Sequence, residues 1–228
     1  MTLNSIQVVV LDMAGTTVAD DGLVIAAFDA AATAVGVPSS GPDRDHARQY
    51  VMDTMGQSKI SVFRALFGDE GRAQQANVAF EDAYAELLDS GAATPITGAA
   101  EAISQLRAAG TRVALTTGFS SPTQDKLLAA LGWQSVADMA LAAGEGVRGR
   151  PYPDLNLTAL MRLGGDGVGN LAVLGDTTSD IESGVRAGAA IVAGTLTGAH
   201  NEQQLRLAGA THVVASVTEF VELVQAAK

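Results

Sequence analysis

The sequence predicts an α/β fold: a doubly wound, mostly parallel sheet into which a helical cap domain is inserted. Three observations predict it. Short, almost wholly apolar runs rich in β-branched residues recur along the chain, as expected of strands buried on both faces. Stretches with apolar residues at helical spacing lie between them, and strands alternating with helices build a parallel sheet. The first run is followed by a helical excursion much longer than a crossover connection.

Ile6–Leu11 (IQVVVL) reads as the first strand. Residues 19–94, which follow it, are mostly helical in character. A parallel strand normally returns to its sheet after a dozen or more residues. The excursion is therefore assigned to a cap over residues 19–94, and the core to residues 1–18 and 95–228, with hinges around Ala19–Gly22 and Gly91–Thr97. In the core, Gly98–Ala109 is a helix that Gly110 is placed to stop. Arg112–Leu115 (RVAL), Leu171–Leu174 (LAVL), Ala190–Ala193 (AIVA) and His212–Val214 (HVV) are the further strand-like runs. Ser179–Ala187 and Glu202–Ala208 read as helices, and Thr218–Ala227 as a C-terminal amphipathic helix opened by Thr218 as cap and an early Glu219.

Composition bounds what such a fold can do. Of 228 residues, 47% are hydrophobic and 17% charged, a soluble globular balance with material for a core. A net charge of −11 argues against nucleic acid as a partner, because phosphate backbones are held by clustered Lys and Arg. Cysteine is absent, which removes disulfides, thiolate metal sites and thiol nucleophiles. No stretch approaches the ~18 consecutive apolar residues of a membrane span, and no basic flank precedes a hydrophobic run at the start. The expectation is a cytoplasmic chain acting on a small molecule, with neither nucleic acid nor membrane as partner.

Ligands of open α/β sheets bind at the carboxyl ends of the strands. Four such ends carry a coherent set. The first strand ends in Asp12-Met13-Ala14-Gly15-Thr16-Thr17, which can present a carboxylate nucleophile beside backbone amides and the Thr16 hydroxyl; a turn-capping Asp12 is the plainer alternative. The next offers Thr116-Thr117-Gly118, hydroxyls and amides suited to phosphate oxygens or to an ordinary turn. Gly149-Arg150-Pro151-Tyr152-Pro153 fixes a cation next to two rigid prolines, where guanidinium can bridge two oxyanions. Gly175-Asp176-Thr177-Thr178-Ser179-Asp180 supplies two carboxylates at a strand end and helix start, oxygen ligands for a hard cation. Asp180 alternatively favours the helix N-terminus electrostatically.

In this order, DMAGT, TTG, GRPYP and GDTTSD resemble the four motifs of the haloacid dehalogenase superfamily, over residues 8–188. The resemblance implies a doubly wound core with a cap between the first and second motifs, Asp12 as nucleophile, and Mg²⁺ as cofactor. It places the ion on Asp12, the Ala14 carbonyl and Asp176, with Asp180 just behind these ligands, and the substrate against Ala14, Gly15, Thr16, Thr117 and Gly118. Two positions depart from the common pattern. Ala14 stands where a general acid usually does, and Arg150 where a lysine does. Both features resemble the phosphonoacetaldehyde hydrolase (phosphonatase) branch, and Met55-Gly56-Gln57-Ser58-Lys59 resembles its cap motif MGxxK. That branch implies a Schiff base at Lys59, with Met55 beside it and Arg150 as a catalytic cation. Val62 and Phe119 stand where the branch has a histidine and a tyrosine, and its cysteine is missing, which points to phosphonatase-like hydrolases with a related substrate.

The expected activity is therefore Mg²⁺-dependent hydrolysis, most directly of the C–P bond of phosphonoacetaldehyde or a related oxo-phosphonate. A phosphatase for a small phosphate ester is the alternative, disfavoured by Ala14 because an alkoxide leaving group needs an acid. A 2-haloacid dehalogenase fits poorly with the Asp176–Asp180 pair, and a non-enzymatic binding module fits poorly with Asp12, Thr117, Arg150 and Asp176 together. A homodimer formed through the cap follows from the branch by analogy. Of the histidines, His46 and His200 read as solvated and His212 as partly buried.

Overall fold

The computed structural model describes residues 5–144 and 146–226. Its first strand, β1 (Val8–Asp12), lies in the middle of a parallel sheet and is buried along its whole length. Val9 and Leu11 point to one side, into a cluster with Ile103, Leu106, Phe220 and Val224. Val8 and Val10 point to the other, against Ala159, Leu160, Leu171 and Val173. A run without polar interruptions is what a strand covered on both faces requires. Each such side chain contributes roughly 1.5–3 kcal/mol by leaving water.

After β1 the chain forms β2 (Val18–Ala19), then α1 (Leu23–Ala34), α2 (Pro42–Asp53), α3 (Lys59–Phe67) and α4 (Glu70–Asp89), and returns through β3 (Thr94–Pro95). β2 and β3 pair antiparallel, Val18 with Pro95 and Ala19 with Thr94, so the helical excursion leaves and re-enters at one place. Next come α5 (Ala99–Ala108), β4 (Arg112–Thr117), α6 (Ser121–Ala130), β5 (Met139–Ala142) and α7 (Asp154–Arg162). The chain ends with β6 (Leu171–Gly175), α8 (Thr178–Ala187), β7 (Ile191–Thr195), α9 (Glu202–Leu207), β8 (His212–Val214) and α10 (Val217–Ala226). Among the described residues the main sheet has six strands, all parallel, in the order β5-β4-β1-β6-β7-β8. The register sets Asp12 beside Thr116 and Leu11 beside Leu174, so the carboxyl ends of β1, β4 and β6 open onto one spot.

The expected strands are present with small shifts. β1 is assigned from Val8 rather than Ile6, although Gln7 already bonds to both neighbouring strands, its N–H to the Asn170 carbonyl and its carbonyl accepting from Arg112. β5 has no counterpart in the sequence reading: its MALA run is short, lacks β-branched residues and lies at the sheet edge, half exposed. Nor did α6 and α7 announce themselves, although the Ser120 hydroxyl caps α6 by accepting from Thr123 N. α10 begins at Val217 and is opened by Ser216 rather than Thr218: the Ser216 hydroxyl accepts from Glu219 N, and the Glu219 carboxylate from Ala215 N. Residue 227, expected in that helix, lies outside the described residues. Two histidine expectations are overturned. His200 is buried, its Nδ1 accepting the Thr178 N–H at 2.8 Å, and His212 is exposed on β8.

The α1–α4 helices pack into the same hydrophobic cluster as the Val9–Leu11 face of the sheet. Phe28 stacks on Phe63, Phe63 meets Phe80 edge-on, Phe80 stacks on Tyr84, and Tyr84 reaches Phe119 beyond β4 with ring centroids 4.6 Å apart. Arg44, 1% exposed, ties α2 to α1 by donating to the carbonyls of Asp29, Val37 and Pro38 and to Thr33. A buried guanidinium is tolerated only when its donors are met in this way. The α2–α3 loop then seats on the core: Lys59 N donates to the Gly118 carbonyl at 3.2 Å. A Cβ on Gly118 would come within 2.8 Å of the Gly56 carbonyl and collide with that of Gln57. Gly118→Ala should therefore leave the fold intact, with a Tm within a few degrees of wild type, but hold the helical layer off the core. Since misplacement near 1 Å costs about 10²-fold, a loss of that order in kcat/KM is expected in a phosphate-release assay; full activity would show that this seating is dispensable.

Candidate active site

The turn after β1 builds the first wall. The amides of Thr16, Thr17 and Val18 all donate to the Met13 carbonyl, and Gly15 N donates to Val18 O at 2.7 Å. Gly15 has φ +84°, and any Cβ there would strike the Asp176 carboxylate, so the position needs glycine twice over. Asp176, just beyond β6, is held by Ala199 N (2.7 Å to Oδ2) and by the Thr16 hydroxyl (3.2 Å to Oδ1). Thr117, closing β4, accepts from Phe119 N at 3.1 Å, which leaves its own hydroxyl proton free to meet a ligand.

Behind these residues sits Arg150, buried at 5% exposure. Its Nη2 lies 2.7 Å from Asp12 Oδ1, and its Nη1 donates to Asp180. Asp180 also completes a capping box with Thr177 at the start of α8, as expected of a carboxylate at a helix N-terminus. Asp12, Asp176 and Asp180 each offer an oxygen within 4.8 Å of the others.

In front is a cavity of about 280 Å³. Asp12, Ala14, Gly15, Met55, Lys59, Thr117, Gly118 and Asp176 all line it. Thr16, Arg150 and Asp180 do not: Thr16 is fully buried with its hydroxyl turned to Asp176, and the other two stand behind the carboxylates. Phe119 and Thr177 also reach the cavity, as do Asp20 and the Thr197–Ala199 loop after β7, to which the sequence assigned no role. The polar Thr195-Leu196-Thr197-Gly198 following an apolar run is the signal that marks that loop, since it is one more strand end.

Electrostatics follow from burial. Desolvation pushes the Asp12 carboxyl up to about 6, the pull of Arg150 notwithstanding and with Asp180 adding to the rise. Asp176 is pushed well above the usual carboxylate range by burial and by Asp12 and Asp180. Lys59 is brought down to about 8 by burial and by Arg150, against the opposing pull of Asp20, Asp12 and Asp176. Three buried carboxylates therefore share one guanidinium. Their donors are all hard oxygens, without nitrogen or sulfur, and the cluster is short of positive charge: a donor set that can hold a hard divalent cation.

A family model for haloacid dehalogenase-like hydrolases matches residues 6–188. The chain belongs to this family and is a hydrolase. The probable phosphatase IndB of Dickeya dadantii (strain 3937) is 27% identical over 217 residues, 93% of this chain and 91% of that protein. The phosphonoacetaldehyde hydrolase of Nitratidesulfovibrio vulgaris (strain Miyazaki F) is 28% identical over 198 residues, 80% of this chain and 69% of its own. In fold the chain matches the crystal structure of a phosphonoacetaldehyde hydrolase-like protein from Oleispira antarctica with a TM-score of 0.84 at 21% identity, covering 99% of this chain and 94% of that one. Among the described residues no helix is long and apolar enough to cross a membrane.

A carboxyl whose folded pKa is raised binds its proton more tightly in the folded state, so stability grows as pH falls through that value toward the unfolded one. In chelator, the wild type should gain stability as pH is lowered from 7.5 through about 6. Asp176→Asn removes one of the carboxyls that burial and its neighbours disfavour; in chelator at pH 7.5 it should melt about 2–5 °C above wild type, with a flatter pH dependence. Thermal unfolding checks both, and a variant melting below wild type under these conditions would contradict the charge imbalance.

Proposed function

We propose that the protein is a Mg²⁺-dependent hydrolase that cleaves the C–P bond of phosphonoacetaldehyde or a closely related oxo-phosphonate, with Lys59 forming a Schiff base and Asp12 receiving the phosphoryl group. One observation carries the reading: Lys59 lines the same cavity as Asp12, in surroundings that bring its amine to about 8. At pH 7 roughly a tenth of such amines are neutral and nucleophilic, against well under one in a thousand for a free lysine. The relatives named phosphonoacetaldehyde hydrolase support it.

Asp12, the Ala14 carbonyl and Asp176 are the groups that would hold Mg²⁺, and Asp180 keeps Arg150 and Thr177 in place behind them. When bound, the ion neutralises charge on the carboxylates and on the phosphonate oxygens, so that two anions can meet. The Thr117 hydroxyl and the backbone around Gly118 orient those oxygens. The Lys59 nitrogen adds to the substrate carbonyl carbon and water departs, leaving a protonated imine. An Asp12 oxygen then attacks phosphorus, and the C–P electron pair moves into the imine to give an enamine. Protonation of the enamine carbon and hydrolysis of the imine free the carbonyl product, while water cleaves the acyl phosphate on Asp12. Ala14 fits this chemistry: its methyl cannot donate a proton, and a carbon leaving group stabilised by an imine does not require one from there.

The similarity to IndB, which spans most of both chains, favours a second reading, a phosphatase for a small phosphate ester. Borohydride separates the two. Added with phosphonoacetaldehyde, it should inactivate the enzyme and leave a reduced adduct that mass spectrometry locates on Lys59. Lys59→Arg should form none and lose activity, because guanidinium stays charged. Absence of an adduct, with Lys59→Arg fully active on the true substrate, would transfer the assignment to the phosphatase. On either reading Asp12→Asn should lower phosphate release by at least about 10³-fold without unfolding the protein; a variant keeping more than a few per cent of activity would place the nucleophile elsewhere.

A further inference from the structure

Lys59 has an apolar neighbourhood. Its Nζ lies 5.3 Å from the Phe119 ring centroid and 5.9 Å from that of Phe80, with Met55 and Val62 buried nearby. Rings and methyls lower the amine's pKa but move no protons, and carbonyl–amine condensation needs a proton delivered to the departing oxygen. The titratable groups lining the cavity with Lys59 are Asp12, Asp20, Asp21 and Asp176. Asp12 and Asp176 are committed to the phosphoryl end, and Asp21 is exposed. Asp20 remains.

Its placement is built into the hinge. Asp20 follows β2 directly, and its carbonyl accepts from Leu23 N at 2.7 Å. Asp21 and Gly22 both adopt left-handed backbone, φ +43° and +82°, which turns the chain sharply into α1. Asp21 is the one non-glycine residue with positive φ among the described residues, and such strain persists where surrounding structure enforces it. One carboxylate oxygen of Asp20 is pinned by Val24 N at 3.1 Å, and the residue still lines the cavity. The charged and titratable groups facing it are Lys59 from α3, Tyr84 from α4 and its neighbour Asp21.

We propose that Asp20 is the proton carrier for carbonyl chemistry at Lys59. This rests on the oxo-phosphonate reading above. The Lys59 nitrogen forms a bond to the carbonyl carbon, the C=O π pair moves to oxygen, and one proton passes from nitrogen to oxygen through Asp20 to give a carbinolamine. The protonated Asp20 then gives its proton to the hydroxyl, the C–O bond breaks with its pair going to oxygen, and water leaves as the nitrogen lone pair forms the protonated imine. Asp20 ends as a carboxylate and stands as counter-ion to the imine. Burial raises the Asp20 carboxyl above its ordinary value, which keeps it protonated closer to neutrality and suits it to the first half of that exchange.

The test uses the full chain with Mg²⁺ and phosphonoacetaldehyde, quenching with borohydride at timed intervals and counting the Lys59 adduct. Asp20→Asn retains an oxygen for Val24 N but carries no exchangeable acid; adduct formation should slow by about 10²-fold. Asp20→Glu should recover most of the rate. In wild type the trapping rate should rise with pH as Lys59 deprotonates and fall again as Asp20 does; Asp20→Asn should lose the descending limb. An Asp20→Asn protein that traps at the wild-type rate with an unchanged profile overturns the role of Asp20 and leaves the Lys59 reading standing. A wild type that forms no adduct overturns both.

Discussion

Everything at the candidate site depends on one unfavourable arrangement, the burial of Asp12, Asp176 and Asp180 around the single guanidinium of Arg150. Buried carboxylates are tolerated when paired, and here the pairing is incomplete. The fold holds them together nonetheless, because the central position of β1 and the register with β4 and β6 leave no other place for the strand ends to go. Hydrogen bonds from Ala199 N, the Thr16 hydroxyl and Thr177 N fix the oxygens without cancelling their charge. The cluster is thereby prepared for positive charge, while Arg150, out of the cavity, pairs with Asp12 and Asp180 from behind.

The same cavity carries a second electrostatic device of opposite sign. Lys59 sits against aromatic rings, and burial and Arg150 depress it while Asp20, Asp12 and Asp176 restrain the fall. Acids pushed up and an amine pushed down around one cavity is the pattern expected where proton positions are to be used rather than merely stored. The aromatic chain from Phe28 to Phe119 matters here because it couples the helical layer that bears Lys59 to the strand end that bears Thr117.

Much of this was legible in the sequence, for a physical reason. Strands buried on both faces leave uninterrupted apolar runs, and their polar successors mark the ligand side of the sheet, so Asp12, Thr117 and Asp176 could be read together. Lys59 was legible through the MGQSK segment alone, since no periodicity distinguishes a cavity lysine from a surface one. Asp20 was not: in sequence it is one of two aspartates in a hinge, and only the left-handed turn at Asp21 and Gly22 turns it to the cavity. β5 was hidden because an alanine-rich edge strand lacks the β-branched signature, and His200 because its burial depends on a tertiary bond to Thr178 N. Thr16 shows the reverse limit, a hydroxyl whose type suits phosphate but whose proton the fold has already given to Asp176.

The carboxylate cluster is short of positive charge, which a divalent cation could supply. Proton release on metal binding tests this directly, because a carboxyl held protonated by its neighbours must give up its proton to become a ligand. Calorimetric titration with Mg²⁺ in two buffers of different ionisation enthalpy counts the protons released per ion. Binding should release protons, more at pH 6 than at pH 8, since burial pushes the Asp12 carboxyl up to about 6 in the metal-free protein. Binding with no proton release at pH 6, or no binding at all, would contradict it.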